Sequence, residues 1–156
     1  MRILISGQHG QVSTELQHHL KTLGELVVPG RAEFDLTDPQ QLRQQVRRVR
    51  PDLIINAAAY TAVDQAENES QVAFAINATA PGILAEEAAQ LGIALIHYST
   101  DYVFDGNKST PYNEDDAPNP LGVYGQSKLA GEQAITAVQG QHLILRTSWV
   151  YSNHGR

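Results

Sequence analysis

A chain of 156 residues in which 42% of the side chains are apolar and 18% charged has the balance of one folded domain and excludes a disordered segment. The net charge of -6 argues against nucleic acid as a partner, because phosphate binding needs a basic face. There is no cysteine, which excludes disulfides and thiolate metal sites, and the six histidines offer no spaced pair on one helix face, so no metal site is expected.

Met1 leads directly into RILIS (Arg2–Ser6), a short apolar run that reads as a buried strand. No charged leader precedes it, and no run of about 18 apolar residues occurs anywhere, so the reading is a cytoplasmic protein with no membrane partner. GQHG follows, then QVSTELQHHLKTLG, which sets Val12, Leu16, Leu20 and Leu23 on one helical face. ELVVP (Glu25–Pro29) is a second strand. Asp38 before Pro39 has the form of an N-cap with proline at the first helical position, and the helix it opens carries Leu42, Val46 and Val49. DLIINAAA (Asp52–Ala59) is a third strand running into a small-residue loop. An alanine-rich helix spans about Ser70 to Leu91, ended by Gly92. IALIHYS (Ile93–Ser99) is a fourth strand, and a long loop from Tyr102 to Gly122 leads to a helix from about Tyr124 to Val138. HLILRTS (His142–Ser148) is a fifth strand. Strands that are near-continuous apolar runs, alternating with helices, predict an α/β fold: a doubly wound parallel sheet, Rossmann-like, with helices on both faces.

Four stretches carry chemistry. In SGQHGQVS a strand feeds a glycine turn that opens a helix, the setting of a dinucleotide fingerprint. Gly7 permits the turn, Gly10 lets the backbone approach a pyrophosphate, and Ser13 stands where a third glycine is common. The same glycine pattern also ends many strands that bind nothing. At the end of the second strand Arg31 stands where an acid would select NAD, so NADP is favoured over NAD, with a solvated loop arginine as the alternative. Ser99 and Thr100 put hydroxyls at the carboxyl end of the fourth strand, where open α/β sheets bind ligands. Tyr124 and Lys128 share a helical face; a cationic lysine beside a phenol lowers its pKa and makes it a proton donor to a nascent alkoxide. Each feature is weak by itself, and their order along the chain is what gives them force.

GQHGQVSTELQ, RPDLIINAAAYTAVDQAE, IHYSTDYVFDG, PLGVYGQSKLAGE and LILRTSWVY together resemble the extended short-chain dehydrogenase/reductase superfamily, and within it the dTDP-4-dehydrorhamnose reductase family. The resemblance implies hydride transfer from NADPH or NADH to the C4 ketone of a dTDP-sugar. It makes Tyr124 the proton donor, Lys128 its tuning group and a ribose ligand, and Thr100 the hydroxyl on the substrate oxygen. It sets Gly10, Gln11 and Val12 along the pyrophosphate and Asp35 and Leu36 near the adenine. Ala59, Tyr60, Thr61 and Tyr98 would line the cofactor cleft, and Asp101 and Trp149 would face the sugar nucleotide. For Trp149 a core or interface role is an equal alternative. Members of the family continue past the SNHGR at which this sequence stops, into a smaller domain that completes the sugar site and often the dimer contact. The expectation is therefore one NAD(P)-binding domain over residues 1–156, with the substrate domain absent. The superfamily also holds nucleotide-sugar epimerases and dehydratases, and a regulatory subunit of methionine adenosyltransferase looks similar, so those readings stay open at this point.

Overall fold

The computed structural model describes residues 1–154. Five parallel strands, β1 (Arg2–Ser6), β2 (Glu25–Val27), β3 (Leu53–Asn56), β4 (Ala94–Thr100) and β5 (His142–Thr147), form one sheet in the order β2-β1-β3-β4-β5. The chain starts in mid-sheet, steps out to β2, and then crosses back over β1 to β3. That reversal opens a crevice at the carboxyl ends of β1 and β3.

Helices α2 (Pro39–Val49), α5 (Ala80–Leu91) and α6 (Val123–Ala137) pack on one face. Their core joins Leu4, Ile54 and Leu95 of the sheet to Leu42, Val46, Leu84 and Ile135, all essentially without solvent contact. Burying each such side chain is worth about 1.5–3 kcal/mol. The opposite face carries α1 (Gln11–Leu20), with Leu16 and Leu20 over Ile3, Ile5 and Ile55. Leu143, Val150 and Tyr151 stay exposed at the β5 end.

Local chemistry sets the helix ends. The Asp38 carboxylate accepts from the Gln40 and Gln41 N–H groups at 2.9 and 3.1 Å, and Pro39 follows it as expected. Gly92 closes α5 at φ 68°. Arg43 and Arg47 of α2 bind Glu87 of α5, whose carboxylate is 1% exposed. The predicted helix from Ser70 to Leu91 is interrupted: α4 (Ser70–Phe74) passes through a π turn (Ala75–Thr79) into α5. A short α3 (Val63–Ala66) and a 3-10 turn (Asp101–Val103) were not foreseen. β2 stops at Val27, short of the predicted Pro29, and β3 ends at Asn56, before the small-residue loop.

Candidate functional site

A cleft of about 830 Å³ lies along the carboxyl ends of the strands. One wall is the glycine turn. Gly7 has φ 85°, a left-handed conformation natural to glycine, and a Cβ there would press on Ala58 at 3.2 Å. A Cβ on Gly10 would meet only Gly7 O at 3.6 Å, so the turn stays open beside it. α1 starts at Gln11 with no side-chain cap and no acid in its first turn. Its leading N–H groups and dipole therefore favour an anion, and the residues present fit a pyrophosphate. Ser13 is fully buried on the inner side of α1, small enough to serve where a glycine is common.

The other wall comes from β4, the 3-10 turn and α6, and carries Thr100, Asp101, Tyr124 and Lys128. α6 approaches closely because two of its residues have no side chain: a Cβ on Gly125 would lie 2.2 Å from Tyr102 O, and one on Gly131 would lie 2.1 Å from Asn77 O. At the start of α6, the Glu67 carboxylate accepts from the Val123 N–H at 2.8 Å and supplies the cap that Gly122 lacks.

Of the residues expected at the site, the cleft brings together Gly7, Gly10, Gln11, Val12, Arg31, Asp35, Leu36, Ala59, Thr61, Tyr98, Thr100, Asp101, Tyr124, Lys128 and Trp149. Tyr60 is not among the residues that line the cleft. Its hydroxyl donates to Glu69 at 2.8 Å, and its backbone N–H and C=O are both held by the Asn77 side chain. Trp149 stands at the rim, 89% exposed, which removes the core alternative. Arg31 is exposed and lies 3.6 Å from Asp35. Hydrogen bonds from Thr37 hold the Asp35 carboxyl below its usual range, with a smaller contribution from Arg31.

The electrostatics of Tyr124 differ from expectation. Burial raises its phenol; the Thr100 hydroxyl offsets part of the rise, and Asp101 and Tyr102 add to it. The lysine that was to lower it points elsewhere. Lys128, 2% exposed, donates to Tyr98 O at 2.7 Å and lies 3.3 Å from His97 Nε2. Burial brings its pKa down to about 8, against an opposing pull from Glu132.

Sequence reasoning passed over three residues behind these walls. Asn77, in the π turn, donates to Ser127 Oγ at 3.0 Å while gripping Tyr60, and so ties the loop after β3 to α6 one residue before Lys128. π turns recur at functional sites. Glu132 accepts from Ser99 Oγ at 2.5 Å and from Arg146 at 3.0 and 2.6 Å, fixing the far side of α6 to β4 and β5. His97 is fully buried beneath Lys128. The long rim loop is ordered around Asp105, which accepts from Asn107 N–H, Tyr112 Oη and Asn119 Nδ2 at 3.0, 2.7 and 3.0 Å, while Phe104 stacks on Tyr112 at 4.2 Å. Among the described residues no cluster could hold a metal ion, and no helix is long and apolar enough to cross a membrane.

A parallel sheet with a glycine turn and a Tyr-x-x-x-Lys wall on either side of its strand-order reversal defines a Rossmann-like protein of the short-chain dehydrogenase/reductase class. More narrowly, the chain belongs to the RmlD substrate binding domain family, whose model matches residues 1–156. It is 47% identical over 156 residues to the dTDP-4-dehydrorhamnose reductase of Sinorhizobium fredii, an alignment covering all of this chain and 53% of that protein. It is 48% identical over 159 residues to the Escherichia coli enzyme of the same name, covering 99% of this chain and 53% of the relative. The Bacillus anthracis dTDP-4-dehydrorhamnose reductase solved in complex with NADP superposes with a TM-score of 0.94 at 38% identity, over 99% of this chain and 56% of that one. The chain thus spans about half the length of the curated relatives it matches.

Proposed function

We propose that this chain is the cofactor-binding half of an NADPH-dependent reductase acting on the C4 ketone of dTDP-4-dehydro-L-rhamnose. One observation carries the reading: Thr100, Tyr124 and Lys128 line the same cleft as an uncapped helix N-terminus built for a pyrophosphate. The names of the relatives supply the substrate class.

A nicotinamide bound in the cleft supplies the hydride. The chain's own residues handle the oxygen that gains charge. Tyr124, kept protonated by its burial, donates its phenolic proton to that oxygen, and Thr100 Oγ1 hydrogen-bonds it as the charge develops. Lys128 has three ammonium donors; with Tyr98 O and His97 facing two of them, one remains for a cofactor ribose hydroxyl. Gln11 and Val12 present backbone N–H groups to the pyrophosphate, and Leu36, Ala59 and Thr61 bound the rest of the cofactor. Asp101 and Trp149 face the sugar nucleotide, the indole offering a flat exposed plate for stacking. NADPH is preferred because Arg31 is an exposed cation beyond β2, while the Asp35 carboxylate is already engaged by Thr37.

Quenching or enhancement of nicotinamide fluorescence on titration with this chain tests the cofactor half, and NADPH should bind more tightly than NADH. Turnover is tested with dTDP-4-dehydro-L-rhamnose after supplying the C-terminal half of the Escherichia coli relative. NADPH that binds but is not oxidised by the ketone would replace the reductase by a binding function; no binding at all would overturn the cleft assignment.

A further inference from the structure

Ser6 ends β1, Asn56 ends β3 and His97 lies at the middle of β4, and the three stand in one cross-strand row, Ser6 opposite Asn56 and Asn56 opposite His97. All three are buried to 1% exposure or less, on the face that α6 covers. Their side chains form a continuous chain: Ser6 Oγ to Asn56 Oδ1 at 2.6 Å, Asn56 Nδ2 to His97 Nδ1 at 3.0 Å, and His97 Nε2 to Lys128 Nζ at 3.3 Å. A buried polar row of this length is costly unless every member is satisfied. The direction of its hydrogen bonds is therefore tied to the charge at its end.

Two directions fit. If Asn56 presents Nδ2 to the imidazole, His97 carries its proton on Nε2 and aims it at Lys128, which must then be a neutral amine. A half-turn of the Asn56 amide exchanges its oxygen and nitrogen, and asks only that the 2.6 Å contact with Ser6 lengthen by a few tenths of an ångström to the ordinary N–H···O range. Oδ1 then accepts from His97 Nδ1–H, Nε2 holds a free lone pair, and the lysine donates to it as an ammonium. Asn56 Nδ2 donates onward to Ser6 Oγ, which also accepts from the Ala58 N–H at 3.1 Å, and the Ser6 hydroxyl proton is released towards the cleft that Ser6 lines.

We propose that His97 is a positioning residue for Lys128: a neutral imidazole, protonated on Nδ1 and oriented by Asn56, whose Nε2 accepts from the lysine ammonium and keeps it charged where water does not reach. Burial together with the Lys128 charge holds His97 well below its ordinary pKa, so the imidazole stays neutral. The other ionisable groups on α6 and the elements packed against it are Glu132 and Tyr124 of α6, Tyr98 of β4, and Asp101 and Tyr102 of the 3-10 turn. Arg146 and His142 of β5, Glu86 and Glu87 of α5, Asp64 of α3 and Glu67, which follows α3 and caps α6, complete the set. Of these, Glu132 also favours the ammonium, but its carboxylate is shared with Arg146 and Ser99. Glu86 and Glu87 are taken by Arg43 and Arg47.

The test uses the chain without cofactor. It has three lysines, Lys21, Lys108 and Lys128, so ¹³Cε-lysine NMR titration resolves them. Lys128 should titrate lowest in the parent. In His97→Phe its midpoint should fall by a further one pH unit or more, about the scale of losing one buried hydrogen bond to a charged group. His97→Gln, which restores an acceptor at the Nε2 position, should return it to within about half a unit of the parent. An unchanged or raised Lys128 midpoint in a folded His97→Phe overturns the proposal. If that variant does not fold, ¹⁵N-imidazole spectra of the parent near neutral pH decide: a Nδ1–H tautomer at His97 supports it, and a Nε2–H tautomer or an imidazolium refutes it. The catalytic meaning of this positioning rests on the reductase reading, but neither spectrum does, so the two can fail separately.

Discussion

Replacing Gly131 by alanine sets two opposed effects against each other. Alanine in mid-helix is favoured over glycine by about 1 kcal/mol. The new Cβ, however, would lie 2.1 Å from Asn77 O, where real Cβ contacts keep at least 3.0 Å, so α6 and the π turn must part by about 0.9 Å. The obstruction is backbone on backbone, with no flexible side-chain end to swing aside. Overpacking of this kind costs about 1–3 kcal/mol, and the rigid contact puts it near the top of that range. The net loss should be about 2 kcal/mol, which at this chain size lowers the melting temperature by about 4–8 °C. Urea and thermal unfolding followed by circular dichroism measure it. Gly82→Ala in α5 is the control: its Cβ would meet only the Ala134 methyl at 3.1 Å, and its stability should stay close to the parent's. The same displacement disturbs Asn77, so NADPH affinity should drop in the Gly131 variant and hold in the control. A Gly131→Ala protein as stable as the parent would refute the claim that α6 comes so close to Asn77 because residue 131 has no side chain.

Three further outcomes follow from the same geometry. Tyr124→Phe should keep NADPH affinity, measured by fluorescence, while ketone reduction falls by about 10²–10⁴-fold, the range for a positioned proton donor; equal turnover would remove Tyr124 from that role. Asp38→Ala should cost about 1 kcal/mol in urea unfolding, because two N–H groups at the start of α2 lose their acceptor, and Asp38→Asn should recover most of it. Hydrogen bonds from Arg47, then Arg43, hold the Glu87 carboxyl below its usual range against the effect of burial. The unfolded chain therefore binds the proton more readily, so this contribution is complete above about pH 4.3, the ordinary glutamate value, and is lost as pH falls through the lower folded value. Glu87→Gln should flatten the decline of melting temperature in that acid range, and an unchanged slope would argue against it.

The strands and the glycine turn were legible because their signals are local: apolar runs, a capping aspartate before a proline, a glycine after a helix. The π turn was not legible. AINAT has ordinary helical composition, and the extra residue is accommodated where Gly131, far along the chain, lets α6 touch Asn77. The partners of Tyr60 were hidden for a related reason, since its backbone is held by Asn77 and its hydroxyl by Glu69, contacts that sequence spacing does not reveal. The pairing of Tyr124 with Lys128 rested on helical periodicity and on the family resemblance. Periodicity sets both on one face of α6, but it cannot show that β4 brings a carbonyl and an imidazole to the ammonium first. The row from Ser6 to His97 could be seen only once the strand register was known.

The knot of side chains around Asp105 bears on how tightly anything binds at that edge of the cleft. A connection of this length usually surrenders backbone freedom when a ligand arrives, at about 1–2 kcal/mol for each residue frozen. Here Asn107, Tyr112, Asn119 and the stacked Phe104 have already done the freezing during folding. Affinity at this rim should therefore track the ligand's own contacts, with little entropy left in the loop for binding to remove.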